Sequence, residues 1–200
     1  GGRTRLVMTI AIILVIIVVG GGALVWHLRQ RVAADDRFHD GLVPAIRLES
    51  EAFGDGGDIP TAFTCRGESV SPPLAWSDLP EGTRSLALLV TDEDLPTAGL
   101  RLFKIVHWTL YDIPAEIDAL PADAEPAILQ ERGISIGQNW SRERSYAPPC
   151  PPFGRHRYVF RVYALDQGTI EPVLDTRGAV LNAIQDHVLA CGTLTGYYAR

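Results

Sequence analysis

Three familiar kinds of catalytic motif are missing from this 200-residue chain. It has no Gly-x-Ser-x-Gly elbow, no His-Glu-x-x-His pair and no Gly-x-x-x-x-Gly-Lys loop, which removes the recognisable serine-hydrolase, zinc-protease and phosphate-loop chemistries. No Cys-x-x-Cys spacing occurs, so a structural zinc site is not expected. Cysteine itself is scarce: Cys65, Cys150 and Cys191 are the only three, an odd number that leaves at least one thiol unpaired. Basic charge is scarce as well. The first 31 residues hold four arginines and no acid, and the rest of the chain carries 14 basic and 24 acidic side chains, a net of −10. Nucleic acid is therefore excluded as a partner, and so is broad adhesion to anionic lipid. An anion site would have to come from a local pocket. No internal repeat is present.

Residues 6–26 lack charge altogether, and this absence is informative. Twenty-one uncharged residues are enough for a helix to cross a hydrocarbon layer of roughly 30 Å. Arg3 and Arg5 precede the run, Trp26 and His27 stand where interfacial anchors stand, and Arg29 and Arg31 follow. Residues 1–31 thus read as an N-terminal membrane anchor with a transmembrane helix over 6–26. A cleaved secretory signal, with Gly21-Gly22-Ala23 as its processing site, is the alternative. Either way the remainder is expected on the periplasmic or extracellular side of the cell membrane. If that compartment is oxidising, a Cys65–Cys150 bridge can form, against the alternative of buried free thiols.

Residues 32–46 are polar and acidic (Asp35, Asp36, Asp40) without clean periodicity, which predicts a flexible tether. From Arg47 to Arg200 the pattern is one domain of short strands between turn signals. Residues 85–91 form an apolar run suited to a buried strand. Residues 105–113 alternate, with Val106, Trp108 and Leu110 on one face and His107, Thr109 and Tyr111 on the other. Residues 158–165 are β-branched and aromatic. Thr176 is placed to cap a helix over 177–190, just ahead of Cys191, and a shorter helix is expected within 123–130. The fold class is mostly β, of the α+β type.

Asp92-Glu93-Asp94-Leu95-Pro96 follows the first strand, His107 lies in the next, and a proline-rich loop leads into Arg155-His156-Arg157-Tyr158. Taken singly, these are an acidic turn, a core histidine and a surface loop. Together they suit a small polar pocket. Imidazole N–H groups, a tyrosine hydroxyl and backbone amides could converge on a phosphate or carboxylate. The prolines of residues 147–152 would stiffen its wall. A carboxylate beside a histidine, with Asp92 the candidate, would fix its tautomer and raise its pKa.

These motifs, with Thr64-Cys65-Arg66-Gly67, Ser71-Pro72-Pro73-Leu74-Ala75-Trp76, Cys150-Pro151-Pro152-Phe153-Gly154 and Gly196-Tyr197-Tyr198, resemble the phosphatidylethanolamine-binding protein family in its bacterial Raf-kinase-inhibitor-like branch. The resemblance runs from about residue 48 to the end of the chain. It implies a β-sandwich with a C-terminal helix and one shallow pocket for phosphate, phosphoethanolamine or a phospholipid head group. The residues it implies are Asp92, Asp94, His107, Tyr146, Pro152, His156, Tyr158 and, near the mouth, Tyr198. No cofactor and no metal are expected for this binding reading; a metal held by the aspartates belongs only to the enzyme alternative below. The chain departs from the family pattern at Glu93, where a proline is usual, which would add negative charge at the pocket rim. It departs again at Pro148, where glycine is common. The leading expectation is a membrane-tethered binding domain for a small anionic ligand. Inhibition of a protease, kinase or envelope protein through the surface around the pocket is a second expectation, and a His/Asp enzyme a third.

Overall fold

The computed structural model describes residues 2–200, with side chains described from Ile13 onward except Val15. In chain order it begins with a helix, α1 (Gly2–Asp40). Short strands follow, β1 (Arg47–Glu49), β2 (Gly57–Asp58) and β3 (Leu74–Ser77). The long central pair is β4 (Ser85–Thr97) and β5 (Leu100–Pro114). Then come β6 (Ala119–Leu120), α2 (Pro126–Glu131), β7 (Ser135–Ile136), β8 (Arg155–Leu165), α3 (Arg177–Ile184) and β9 (Val188–Ala199).

Six strands form one sheet in the order β2-β9-β8-β4-β5-β7, and β1-β3-β6 form a second. The large sheet is covered on both faces, which is why β4 is buried along nearly its whole length and reads as a continuous apolar run. Leu86, Leu88 and Val90 point with Tyr158, Phe160 and Val162 towards Leu48, Leu74, Trp76 and Leu120 of the small sheet. Ala87 and Leu89 point the other way with Tyr163 and Leu165, against Val180, Leu181 and Ile184 of α3 and Phe38 of α1. The mostly-β fold with a late helix expected from the sequence is therefore what the chain adopts.

The late helix is shorter than its apolar spacing suggested. Thr176 does cap it, its hydroxyl accepting from the Ala179 amide at 3.4 Å, but the helix ends at Ile184. Val188 opens β9 instead, and Cys191 is a buried free thiol in that strand. Eleven registered pairs with β8 outweigh the local helical spacing.

Residues 32–46 depart further from expectation. Helix α1 continues to Asp40, and Val32, Asp35, Asp36 and His39 share one face that docks on the domain rather than forming a loose tether. Each acid finds a cation that the sequence keeps distant. Lys104, the only lysine in the chain, places its Nζ 2.6 Å from both Asp35 and Asp36, and Arg177 holds Asp35 at 2.7 Å. His39 Nε2 meets the Tyr163 hydroxyl at 2.8 Å, and its Nδ1 lies 2.7 Å from the Asp35 carbonyl oxygen. Burial and then the Arg161 charge lower the His39 pKa to about 4, from an ordinary 6.5. A folded value below the unfolded one means that the docked helix contributes stability in full above pH 6.5 and loses it as the pH falls towards 4. Hydrogen exchange of residues 32–40, corrected for intrinsic rates, should accelerate over that window; protection that stays constant would contradict this assignment.

Among the described residues no helix is long and apolar enough to cross a membrane. The anchor expected over 6–26 lies in part outside the residues whose side chains are described.

Candidate functional site

The expected pocket residues come from four places. Asp92 stands near the end of the buried part of β4, and His156 and Tyr158 open β8 beside it, with Asp92 and Tyr158 paired in register. His107 comes from β5, but not by simple alternation. In the β4–β5 ladder Val90 pairs with Trp108 and Thr91 with Val106, so His107 is an extra, bulged residue. A bulge re-aims the side chain it carries. His107 therefore turns to the site while Trp108 enters the core beside it; the two faces assigned from the 105–113 pattern hold for Trp108 and Leu110 against Tyr111, and fail at the bulged His107. The fourth contributor is the proline-rich loop.

Asp92, Leu95, Ile105, His107, Trp140, Pro148, Cys150, Pro151, Pro152 and Tyr158 enclose a cavity of about 60 Å³. A single water needs at least about 10–15 Å³ of such space, so the cavity admits a group of a few heavy atoms, the scale of a phosphate. Its wall is pinned covalently by the Cys65–Cys150 disulfide. Gly154, at φ +70°, then turns the loop into β8 in a conformation that favours glycine. The bridge closes a loop across 85 positions, which limits the unfolded chain by an amount worth about 2–4 kcal/mol. The paired Cys65→Ala/Cys150→Ala variant should lose about that much stability in urea denaturation, and an unchanged midpoint would contradict it.

Buried side chains in the site hold their hydrogen bonds on one side only. Asp92 accepts from the Asp94 amide at 2.9 Å through Oδ1 and from His156 Nδ1 at 2.7 Å through Oδ2. His107 Nδ1 lies 2.7 Å from the Ala147 carbonyl oxygen, and its ring packs edge-on against Tyr158 at 5.1 Å. His107 Nε2, His156 Nε2 and the Tyr158 hydroxyl are buried with no hydrogen-bond partner; of the three residues, His107 and Tyr158 line the cavity and His156 stands behind Asp92 without lining it.

This geometry assigns the tautomers. A carbonyl and a carboxylate can only accept, so each Nδ1 carries the hydrogen and each neutral ring presents a bare Nε2. In the neutral rings the Nδ1–H groups are thus spent on protein acceptors. The His107 pKa is not raised. Burial lowers it, and the Ala147 carbonyl and Asp92 do not compensate. Tyr158 is different: burial and then the Asp92 carboxylate push its hydroxyl pKa upward, keeping it a donor. The cavity thus sets the Tyr158 hydroxyl, a donor close to the Asp92 carboxylate, beside the bare Nε2 of His107.

The other expected residues lie apart. Pro148 and Pro152 line the cavity, but Tyr146 gives its hydroxyl to the Phe63 carbonyl at 3.1 Å and packs on Trp108. Asp94 accepts from the Arg157 amide at 3.0 Å and lines a separate groove with Arg101, Arg155, Arg157 and Tyr197. Tyr198 pairs with His156 across β8 and β9 and does not line the cavity. Glu93 is not at the rim. It faces the opposite side of the sheet, buried among Arg161 (2.8 Å), Lys104 (2.6 Å) and Arg101 (3.2 Å). Trp140 and Ile105 are lining residues that carried no motif in the sequence, and Leu95 lines the cavity from within the acidic motif. Among the described residues no group of three or more metal-binding side chains converges.

Comparison with known proteins agrees over the same part of the chain. Residues 49–199 match a family profile described as phosphatidylethanolamine-binding protein. The chain is 40% identical over 156 residues to a UPF0098 protein of Methanothermobacter thermautotrophicus, spanning 78% of this chain and 99% of that one. A UPF0098 protein of Chlamydia muridarum is 37% identical over 155 residues, with the same coverage of each chain. Among solved structures, a phosphatidylethanolamine-binding protein homolog from Chlamydia trachomatis superposes with a TM-score of 0.69 at 34% identity, covering 78% of this chain and 98% of that one. YbcL of E. coli, described as a member of the mammalian family of that name, gives 0.68 at 30% identity, covering 78% and 99%.

Proposed function

The chain belongs to the phosphatidylethanolamine-binding protein family, and from that premise we propose that its domain binds a small phosphorylated ligand in the Asp92–His107–Tyr158 cavity, taking up a proton as it does so. The observation that carries this reading is the pair of buried polar atoms without partners on residues that line the cavity, His107 Nε2 and the Tyr158 hydroxyl. Buried polar atoms left unpaired are costly, and a tetrahedral group sharing a proton with them would satisfy both. Tyr158 donates to one ligand oxygen. A proton held between the ligand and Nε2 serves His107, whose bare nitrogen would otherwise repel an anion. Asp92 orients His156 and does not touch the ligand's charge as a donor. Calorimetric titration of the full chain with phosphoethanolamine tests the reading: saturable binding is expected, and its absence would overturn it.

The same proposal sets the domain at a membrane, anchored by residues 6–26, on the exported side. The support is physical. Ile13, Leu14, Ile16, Ile17, Val18, Val19, Leu24 and Trp26 are all exposed along α1, and apolar side chains around a whole helix suit lipid.

A further inference from the structure

Beyond the pocket, we propose a second site: a crevice between α1 and the start of β5 that holds the head group of an anionic phospholipid. This inference rests on the membrane anchoring proposed above. The crevice, of about 270 Å³, is lined by Leu28, Arg31, Val32 and Asp35 of α1, by Leu102, Phe103 and Lys104 of β5, and by Arg177. It lies on the other side of the fold from the small cavity and shares no lining residue with it.

Position comes first. Of a bilayer roughly 40–45 Å thick, roughly 30 Å is hydrocarbon, which leaves about 5–8 Å of head-group layer on each side. Helix α1 is continuous from the apolar run into the crevice. At about 1.5 Å per residue, Leu28 and Arg31 lie about 3 and 8 Å beyond Trp26. The Leu28–Arg31 end of the crevice therefore falls within the head-group layer if residue 26 marks the hydrocarbon boundary, while Asp35, about 14 Å beyond Trp26, lies at its inner, protein-facing end.

Chemistry selects the ligand. Arg31 has no ion-pair partner among the described residues, and Arg177 Nε is buried without a hydrogen bond. The one acid in the crevice is already engaged on both oxygens, Oδ1 by Arg177 and Oδ2 by Lys104. The site thus offers cationic donors to a phosphodiester and no free carboxylate to a head-group ammonium, which favours an anionic lipid over a zwitterionic one. Leu28, Leu102 and the 45% exposed Phe103 supply apolar surface for the first methylenes of the chains.

The test reconstitutes the full chain in phosphatidylcholine nanodiscs carrying trace photoactivatable phosphatidylglycerol or phosphatidylcholine, and maps the labelled peptides. Label is expected in the peptides holding residues 28–35 and 102–104, more from phosphatidylglycerol. Arg31→Gln should lower that labelling about fivefold, the order expected for one arginine at an anionic surface. Arg29→Gln, a neighbouring charge outside the crevice, should leave it unchanged. Equal losses in both variants would reduce the effect to diffuse attraction and overturn the site. A chain that enters nanodiscs but is labelled only along residues 6–26 would overturn the site and leave the anchor standing. A chain that does not enter nanodiscs would overturn the anchor and this inference together.

Discussion

Glu93→Gln should destabilise the protein by about 3–5 kcal/mol, the usual cost of leaving buried charge without its partner. Glu93 is 1% exposed and sits between Arg161 and Lys104, themselves 14% and 3% exposed. Its hydroxyl-bearing neighbour Thr91 also donates to it, at 2.8 Å. Burial alone would raise its pKa, but Arg161 and Lys104 outweigh burial and hold it well below the ordinary carboxylate range. The depressed value fixes the sign of the pH dependence: the contribution is present above about pH 4.5 and is lost as acidification proceeds below that. Lys104 keeps Asp35 and Asp36 in the variant, so Arg161 carries most of the loss. Replacing both members, Glu93→Gln with Arg161→Met, should recover much of it, because a buried pair removed together leaves no stranded charge. Urea denaturation of the two variants measures this directly. A single variant within experimental error of the parent would contradict it.

The second large effect is on binding. Tyr158→Phe removes one hydroxyl from a side chain that is otherwise fully buried core, so the fold should persist. A hydrogen bond to a charged group contributes about 1.5–3 kcal/mol, so phosphoethanolamine should bind roughly ten- to a hundredfold more weakly. His107→Gln should weaken binding comparably and also reduce proton uptake, which Tyr158→Phe should leave intact. That contrast separates a donor from a proton acceptor. Binding unaffected in both variants would place the ligand elsewhere.

Much of the domain was legible because its strands carry their own signals. Residues 85–91 and 158–165 are apolar or β-branched throughout, and each lies within a strand of the large sheet. What stayed hidden depends on contacts distant in sequence. Nothing near His107 marks the bulge that turns it to the cavity, since the cause is an uneven ladder with β4. Glu93 looked like part of an acidic turn because its three cationic partners are scattered over residues 101–161. Asp35 and Asp36 looked like solvated linker for the same reason. Tyr146 had the right residue type beside the right loop, but its hydroxyl is consumed by Phe63. Site residues that touch one another through side chains alone could be grouped by motif; the direction in which each imidazole spends its proton could not.

Proton uptake is the most direct measure of the central claim. At pH 8 the phosphate of phosphoethanolamine is fully ionised, its second pKa being about 6, so any proton gained on binding is held by the complex. Titrating the full chain at that pH in two buffers of different ionisation heat gives the number of protons exchanged. The bare Nε2 of His107 predicts about one proton taken up per ligand bound. Saturable binding with heats that do not depend on the buffer would contradict the claim.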